Sequence, residues 1–301
     1  MIKLSPHQRA NFAFGGISGT AAVVILGALA FILVDVAVNG LPTLSWEFIS
    51  QNPREGMTAG GIFPAIFGTV LLVLLMTIAV IPVGVITAIY LYEYANQEAW
   101  LSRAIRSAVY NLAGVPSIVF GLFGVGFFIQ FVGGNIDRFF YDGQVLWGQP
   151  AILWASLTLA VLTLPVVIVA TEEALRTVPR EHREGALALG CTKLEAIVRV
   201  VLPQALPGIM TGGILAVARG AGETAPILFT GAAYFLPHLP THGNDQFMNL
   251  GYHVYVMATQ SPDIEATKPI LYGTVLVLLL VTVILNLAAI AVRSRLRAGR
   301  A

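Results

Sequence analysis

Residues 60–94 read GGIFPAIFGTVLLVLLMTIAVIPVGVITAIYLYEY, and the chain carries no charge between Glu55 and Glu93, a run of 37 residues. A helix needs only about 20 apolar residues to cross a hydrocarbon core of roughly 30 Å. In lipid a spanning backbone must satisfy its own hydrogen bonds, so only helices and closed barrels cross. A barrel strand takes about 9–11 residues, far fewer than this run. The stretch therefore predicts a membrane helix.

The same pattern recurs on both sides of it. Uncharged runs of 25, 30, 29 and 24 residues lie between Arg9 and Asp35, Arg106 and Asp137, Asp142 and Glu172, and Lys268 and Arg293. A further apolar stretch from Pro207 to about Phe235 is interrupted only by Arg219 and Glu223. Six spans are predicted, near 12–38, 62–92, 107–132, 151–171, 208–235 and 270–292, giving an all-α integral membrane protein. The first is longer than the 7–15-residue core of a cleavable signal and lacks a clear small-x-small site, so it is expected to remain as a span.

Composition excludes other classes. Charged residues make up 11% of the 301-residue chain and hydrophobic ones 56%. A soluble domain carries about 25% charge. A net charge of +1 leaves no global basic field for nucleic acid. The single cysteine, Cys191, allows neither an intrachain disulfide nor a cysteine-rich metal site. His238 and His242 stand four apart, but Pro237 and Pro240 argue against a helix there, so loop histidines are the simpler reading.

Basic residues set an orientation. Thirteen of the 17 fall on one side if the N-terminus is cytoplasmic: Lys3, Arg9, Arg103, Arg106, Arg176, Arg180, Arg183, Lys193, Arg199, Arg293, Arg295, Arg297 and Arg300. Both termini are then cytoplasmic. The outer segments are 39–60, 133–150 and 236–269, the last expected to fold back on the membrane surface.

The cytoplasmic loop 172–207 is the longest interruption on that side. It runs from Glu172 through PREHREGALALGCTKLEAIVRVVLPQALP at 179–207. Pro179 suits a first helical turn, and Gly190 suits a C-terminal stop. Thr192 and Glu195 form a T-x-x-E capping box that opens a second helix, which Pro203 is expected to end or kink. The loop's five basic and five acidic residues balance. A neutral helix pair fits a protein groove better than a headgroup surface, where a basic face is usual.

Glu184-Gly185-Ala186, three residues, Gly190, nine residues, then Val200-x-Leu202-Pro203 resembles the EAA loop of ABC importer permeases. The family pattern is E-A-A-x3-G-x9-I-x-L-P, and Gly185 and Val200 depart from it mildly. In that family the loop is a coupling helix seated in a cleft of the ATP-hydrolysing subunit. No Gly-Lys pair exists here, so a Walker phosphate loop is missing, and ATP hydrolysis is assigned to a separate chain. The glycines at 121, 124 and 126 read as helix packing sites rather than a phosphate cradle.

Arg219 lies about 12 residues into its span, roughly 18 Å at 1.5 Å per residue, near mid-membrane. A mid-membrane Arg costs about 2.5–3.5 kcal/mol on insertion scales. Glu223 is four residues on, expected on the same helix face, where the two can pair. The pair could be a structural ion pair or a charge element on a substrate path. Gly212, Gly213, Gly220 and Gly222 leave backbone room and allow a kink. Asn111 and Ser117 are expected to bond between helices, and Pro82, Pro116 and Pro165 to interrupt the second, third and fourth spans.

The stretch ARGAGETAPILFT at 218–230 is similar to the corresponding span of the A-type permeases of phosphate-specific ABC importers, the PstA family. Residues 60–94 and NLAGVPSIVFGLFG at 111–124 look like its first two core spans. This resemblance implies a MetI-like, type I ABC permease fold. It implies a core at 60–292, preceded by an N-terminal segment, first span and outer loop at 1–59 and followed by a basic tail at 293–301. It implies a PstC-type homologous permease partner, a PstB-type ATPase dimer carrying ATP-Mg, and an extracytoplasmic PstS-type phosphate-binding protein. The chain itself would need no cofactor and would sit in the inner membrane. A permease for another oxyanion remains open, as does, more remotely, an ion-coupled carrier.

Overall fold

The computed structural model describes residues 6–54, 59–236, 238–261 and 263–298, with side chains described from residue 14 to 295 within those ranges. Lys3, Arg300, Pro237 and Pro262, and the side chains of Arg9 and Arg297, lie outside the described residues.

Among the described residues, six helical stretches are long and apolar enough to cross a membrane: Phe14–Thr43, Phe63–Tyr94, Ser117–Phe140, Ile152–Arg176, Lys193–Gly222 and Ile264–Arg295. They are built from helices α1 (Pro6–Gly40), α3 (Phe63–Ile89), α5 (Ser117–Phe123), α6 (Gly134–Phe140), α7 (Ile152–Arg176), α9 (Lys193–Ala196), α10 (Leu202–Gly222) and α13 (Ile264–Ala298). Wider π turns at Tyr90–Tyr94, Gly124–Gly133 and Ile197–Val201 extend or join them. The other helices are α2 (Trp46–Ser50), α4 (Trp100–Leu112), α8 (Arg180–Ala188), α11 (Ile227–Thr230) and α12 (Leu250–Gln260). A two-residue ribbon pairs β1 (Pro53–Arg54) with β2 (Ala59–Gly60), antiparallel.

Helix α7 forms the centre, with α3 and α10 packed along it. The core joins Leu72, Met76 and Val80 of α3 to Leu159 and Val167 of α7 and Ala216 and Ala221 of α10. Small residues bring these helices close, as is usual where lipid supplies no hydrophobic drive. A Cβ at Gly208 or Gly212 would stand 2.5 Å from the Cβ of Ala174 or Ala170, and one at Gly220 only 2.3 Å from Met76 Sδ. Gly212 and Gly220 are therefore contact points between helices rather than kinks. Gly121 and Gly124 likewise press against Pro226 and Thr158, whereas Gly126 has open space.

Helix α1 is different. It is exposed along most of its length and leans on α13. Tyr272 Oη donates to Asp35 Oδ2 at 3.1 Å, and the backbone at Gly40 approaches the Tyr272 carbonyl closely.

Two span boundaries differ from the sequence expectation. The third span is Ser117–Phe140, not 107–132, because Ala113–Pro116 breaks the helix and residues 100–112 form the separate amphipathic α4. Pro116 has no N–H and disfavours a helical Val115, so it starts a span instead of interrupting one. Pro82 and Pro165 do lie inside α3 and α7. Asn111 bonds within α4, to Ser107 Oγ, and not across helices. The fifth span is Lys193–Gly222 rather than 208–235. Pro203 does not end the second loop helix: the π turn at Ile197–Val201 carries the chain into α10, whose first turn tolerates the ring.

The segment after Thr230 also departs from a surface loop. Ile152 N donates to Asp245 O at 2.8 Å and Leu153 N to Gly243 O at 3.1 Å, so this returning turn satisfies the free amides that open α7. Phe247 and Met248 are buried beneath it. Thr69 of α3 then accepts from Asn249 Nδ2 and Leu250 N, and Asn249 caps α12.

Candidate functional site

The loop between α7 and α10 folds as two short helices around one sharp turn. Helix α8 ends in a Schellman arrangement. Cys191 N donates to Ala186 O at 3.2 Å, Gly190 N donates to Leu187 O at 3.0 Å, and Gly190 takes φ +88°. An L side chain in that left-handed region costs about 1–2 kcal/mol. Thr192 and Glu195 close the expected capping box: each backbone N–H is taken by the other's side chain.

The pattern residues occupy distinct environments. Ala186 is buried and anchors α8. Glu184 and Gly185 are exposed, with open space around Gly185. Val200, Leu202 and Pro203 are half-buried where the π turn enters α10. Around the turn, Leu187, Leu189, Leu194 and Val198 stand exposed, Leu189 at 88%. Together they leave an uncovered apolar patch on an otherwise polar loop.

Side chains that no motif pointed to hold this loop in place. Arg183 Nε binds Glu93 Oε1 at 3.0 Å, and its terminal nitrogens donate to the carbonyls of Val178 and Leu175 at 2.7 Å each. Lys193 donates to the Glu93 carbonyl and covers the Tyr94 ring. The π turn Tyr90–Tyr94 thus serves as the loop's seat. Arg106 of α4 reaches Glu172 at 3.1 Å and the Leu91 carbonyl at 2.8 Å, tying α4 to the same block. A cavity of about 600 Å³ opens beside it, lined by Tyr92, Gln97, Arg176, Arg180 and Glu184 among others. The only signal in the sequence was Glu93 closing a long apolar run.

The second region is Arg219 and Glu223. Gly208 faces Ala174 and Gly212 faces Ala170, so α10 and α7 run antiparallel in register. Continuing that step puts Arg219 level with Thr163, the middle of Ile152–Arg176. A position halfway along a membrane-length helix is retained. The helical relation of the two residues is not: α10 stops at Gly222, and Glu223 is its extended cap, at φ −79°, ψ 129°. The two side chains still meet, Arg219 Nε to Glu223 Oε1 at 3.5 Å. Beyond them Thr224–Thr230 runs through α11 to the N-terminal end of α7, where Ala151 N donates to Thr230 O at 2.9 Å.

Arg219 keeps 35% of its side-chain surface exposed and Glu223 21%. A guanidinium at that depth does not face lipid at tolerable cost. The flank of the bundle that carries it therefore holds a partly exposed ion pair level with the middle of α7. Among the described residues, no group of three or more His, Cys, Asp or Glu gathers to hold a metal ion.

Comparison with known proteins agrees with this architecture. Residues 80–298 match the family described as binding-protein-dependent transport system inner membrane component. The phosphate transport system permease protein PstA 1 of Mycobacterium tuberculosis is 34% identical over 279 residues, covering 91% of this chain and 85% of that protein. A probable ABC transporter permease protein of Bacillus subtilis, YqgI, is 32% identical over 288 residues, covering 91% and 92%. Among solved structures, a bacterial ABC transporter that imports alginate superposes with a TM-score of 0.65 over 95% of this chain and 96% of that one, at 16% identity. The MetNI methionine transporter gives 0.53 over 78% and 94%, at 17%. Six spans, the α7–α10 loop and the family match lead to one conclusion: the chain is a multi-pass membrane protein with the MetI-like all-helical fold, and it belongs to the binding-protein-dependent transport system inner membrane component family of ABC importer permeases.

Proposed function

We propose that the chain is a permease subunit of an ATP-driven phosphate importer, supplying half of the translocation path. The observation that carries the reading is a half-exposed Arg219 at mid-membrane, beside a helix break, in a chain about one-third identical over most of its length to phosphate permeases. A second permease chain of the PstC type covers that flank and completes the path. Phosphate at neutral pH carries more than one negative charge, so the partner contributes further donors. Arg219 presents a planar fork suited to a tetrahedral oxyanion, and Glu223 occupies it between transport events.

The α8–Gly190–α9 hairpin docks into a PstB-type ATPase dimer, which binds ATP-Mg and does the hydrolysis. Glu184, Gly185, Ala186, Gly190, Val200, Leu202 and Pro203 form this coupling element. Exposed Leu187, Leu189 and Leu194 support a protein partner on that face. A PstS-type protein delivers phosphate on the opposite side. Both termini and the hairpin are cytoplasmic, as the distribution of Lys and Arg favours.

The test is labelled phosphate uptake into proteoliposomes holding the chain with its three kinds of partner. ATP-dependent uptake that Arg219→Ala removes is expected. Phosphate uptake that ignores ATP, or ATP-driven uptake of a different oxyanion only, would overturn the class or the substrate respectively.

A further inference from the structure

An apolar groove of about 290 Å³ runs down the outside of the bundle between α3, α10 and α13. It is lined by large side chains such as Leu74, Ile81 and Met210 and by the small residues Gly213, Ala288 and Ala289, which leave the space that an alkyl chain can fill. The single hydroxyl in the lining, Thr77, is already bonded to the Val73 carbonyl at 2.6 Å. Nothing in the groove asks for a polar ligand. At its end, one turn beyond Ala289 on the same face of α13, Arg293 Nη1 donates to Thr211 Oγ1 at 3.0 Å. That bond holds the guanidinium to Thr211, whose neighbour Met210 lines the groove as Val292 does before Arg293, and uses one of its five N–H donors. Arg295 stands exposed just beyond.

We propose that this groove is a binding site for an anionic phospholipid, one acyl chain lying along Gly213 and Ala288–Ala289 and the phosphate headgroup meeting Arg293. Basic side chains between membrane helices on the cytoplasmic side are suited to such headgroups. The lined part of α13, Leu285 to Val292, is eight residues, roughly 12 Å of helix. A slot of this volume over that length takes an alkyl chain, whereas a helix about 10–12 Å across would not enter it. The site is separate from the Arg219 flank and does not depend on the transported substrate. It stiffens the joint between α13 and α10, the helix that runs from the coupling hairpin to Arg219.

The test uses the assembled importer in detergent, titrated with phosphatidylglycerol or phosphatidylcholine and weighed by native mass spectrometry. Wild type and the control Ile290→Phe, which lies outside the groove, retain phosphatidylglycerol preferentially. Arg293→Gln lowers that preference about fivefold, the effect of one basic side chain at an anionic surface. Ala288→Phe fills the slot and removes both lipids. Retention by Ala288→Phe equal to wild type, or an unchanged preference in Arg293→Gln, would overturn the site. So would a photo-crosslinker at position 288 that couples to the partner permease chain instead of lipid.

Discussion

At the scale of single residues, three side chains have consequences that can be measured. Removing Arg219 takes a charge-assisted donor from the path, an interaction of about 1.5–3 kcal/mol. Arg219→Ala is expected to cut phosphate uptake by roughly 10- to 100-fold, and Arg219→Lys to restore part of it, at equal amounts of assembled complex. Glu223→Gln removes the competitor for the guanidinium 3.5 Å away. Phosphate should then be held longer, with KM and turnover falling together in initial-rate assays; a raised KM would argue against competition. Asp245 lies in the segment between α11 and α12, where the His242 amide, assisted by the Thr241 amide and hydroxyl, holds its carboxyl below the ordinary value near 3.8. A depressed carboxylate stabilises above its unfolded pKa, and that contribution is lost as pH falls through the folded value. Pepsin cleavage in residues 238–249 should stay slow at the weakly acidic end and rise as the medium drops below the carboxylate range. Asp245→Asn should remove that step.

At the scale of elements, the coupling hairpin depends on its turn. Gly190→Ala forces a Cβ into φ +88°, a cost of about 1–2 kcal/mol. The hairpin should open without loss of the six spans, and the ATPase activity of the complex should uncouple from transport. Phosphate-dependent ATPase rates in liposomes measure this. On the other side, the buried Asp137 accepts from the amides of Leu146, Trp147 and Gly148 at 2.6–3.1 Å. Asp137→Ala leaves three amides without their acceptor and should destabilise the α6–α7 connection by about 3 kcal/mol, visible as a lower thermal midpoint.

The hairpin was legible in the sequence because its stops are chemical. Gly190 and the Thr192–Glu195 box each satisfy backbone groups in only one way. The break after Gly222 was legible only as a kink that the glycines allow, not as the end of the helix. Gly-Ala-Gly-Glu-Thr-Ala-Pro stays apolar enough to continue a span, and hydropathy reports what lipid tolerates rather than where the backbone turns. Ala113–Pro116 hid the start of the third span for the same reason. The turn at 243–245 was read only as part of a segment folding back on the membrane surface, because its partners, the open amides of Ile152 and Leu153, are about 90 residues away in sequence.

At the scale of the whole molecule, five charge-free runs and one apolar stretch broken only by Arg219 and Glu223 located six spans to within part of a helix, and α7 proved the most enclosed of them. Arg219 was identified by its depth alone, while its seat on an uncovered flank required the packing of α10 on α7. A chain with a half-exposed guanidinium at mid-depth should not be stable by itself in a bilayer. Expressed without its partner permease, it is expected to be degraded or to aggregate, and co-expression should restore its level; a stable, monodisperse lone chain would count against a paired path.

From Lys193 the helical backbone continues without a loop to Gly222. Thirty residues at 1.5 Å each make a rod of roughly 45 Å, with the Gly190 turn at one end and Arg219 near the other. Whatever displaces the hairpin displaces the guanidinium in the same stroke. The two events share one clock: a transporter built this way cannot run its engine through a full cycle while leaving its anion contact at rest, unless slip occurs at the π turn between Ile197 and Val201.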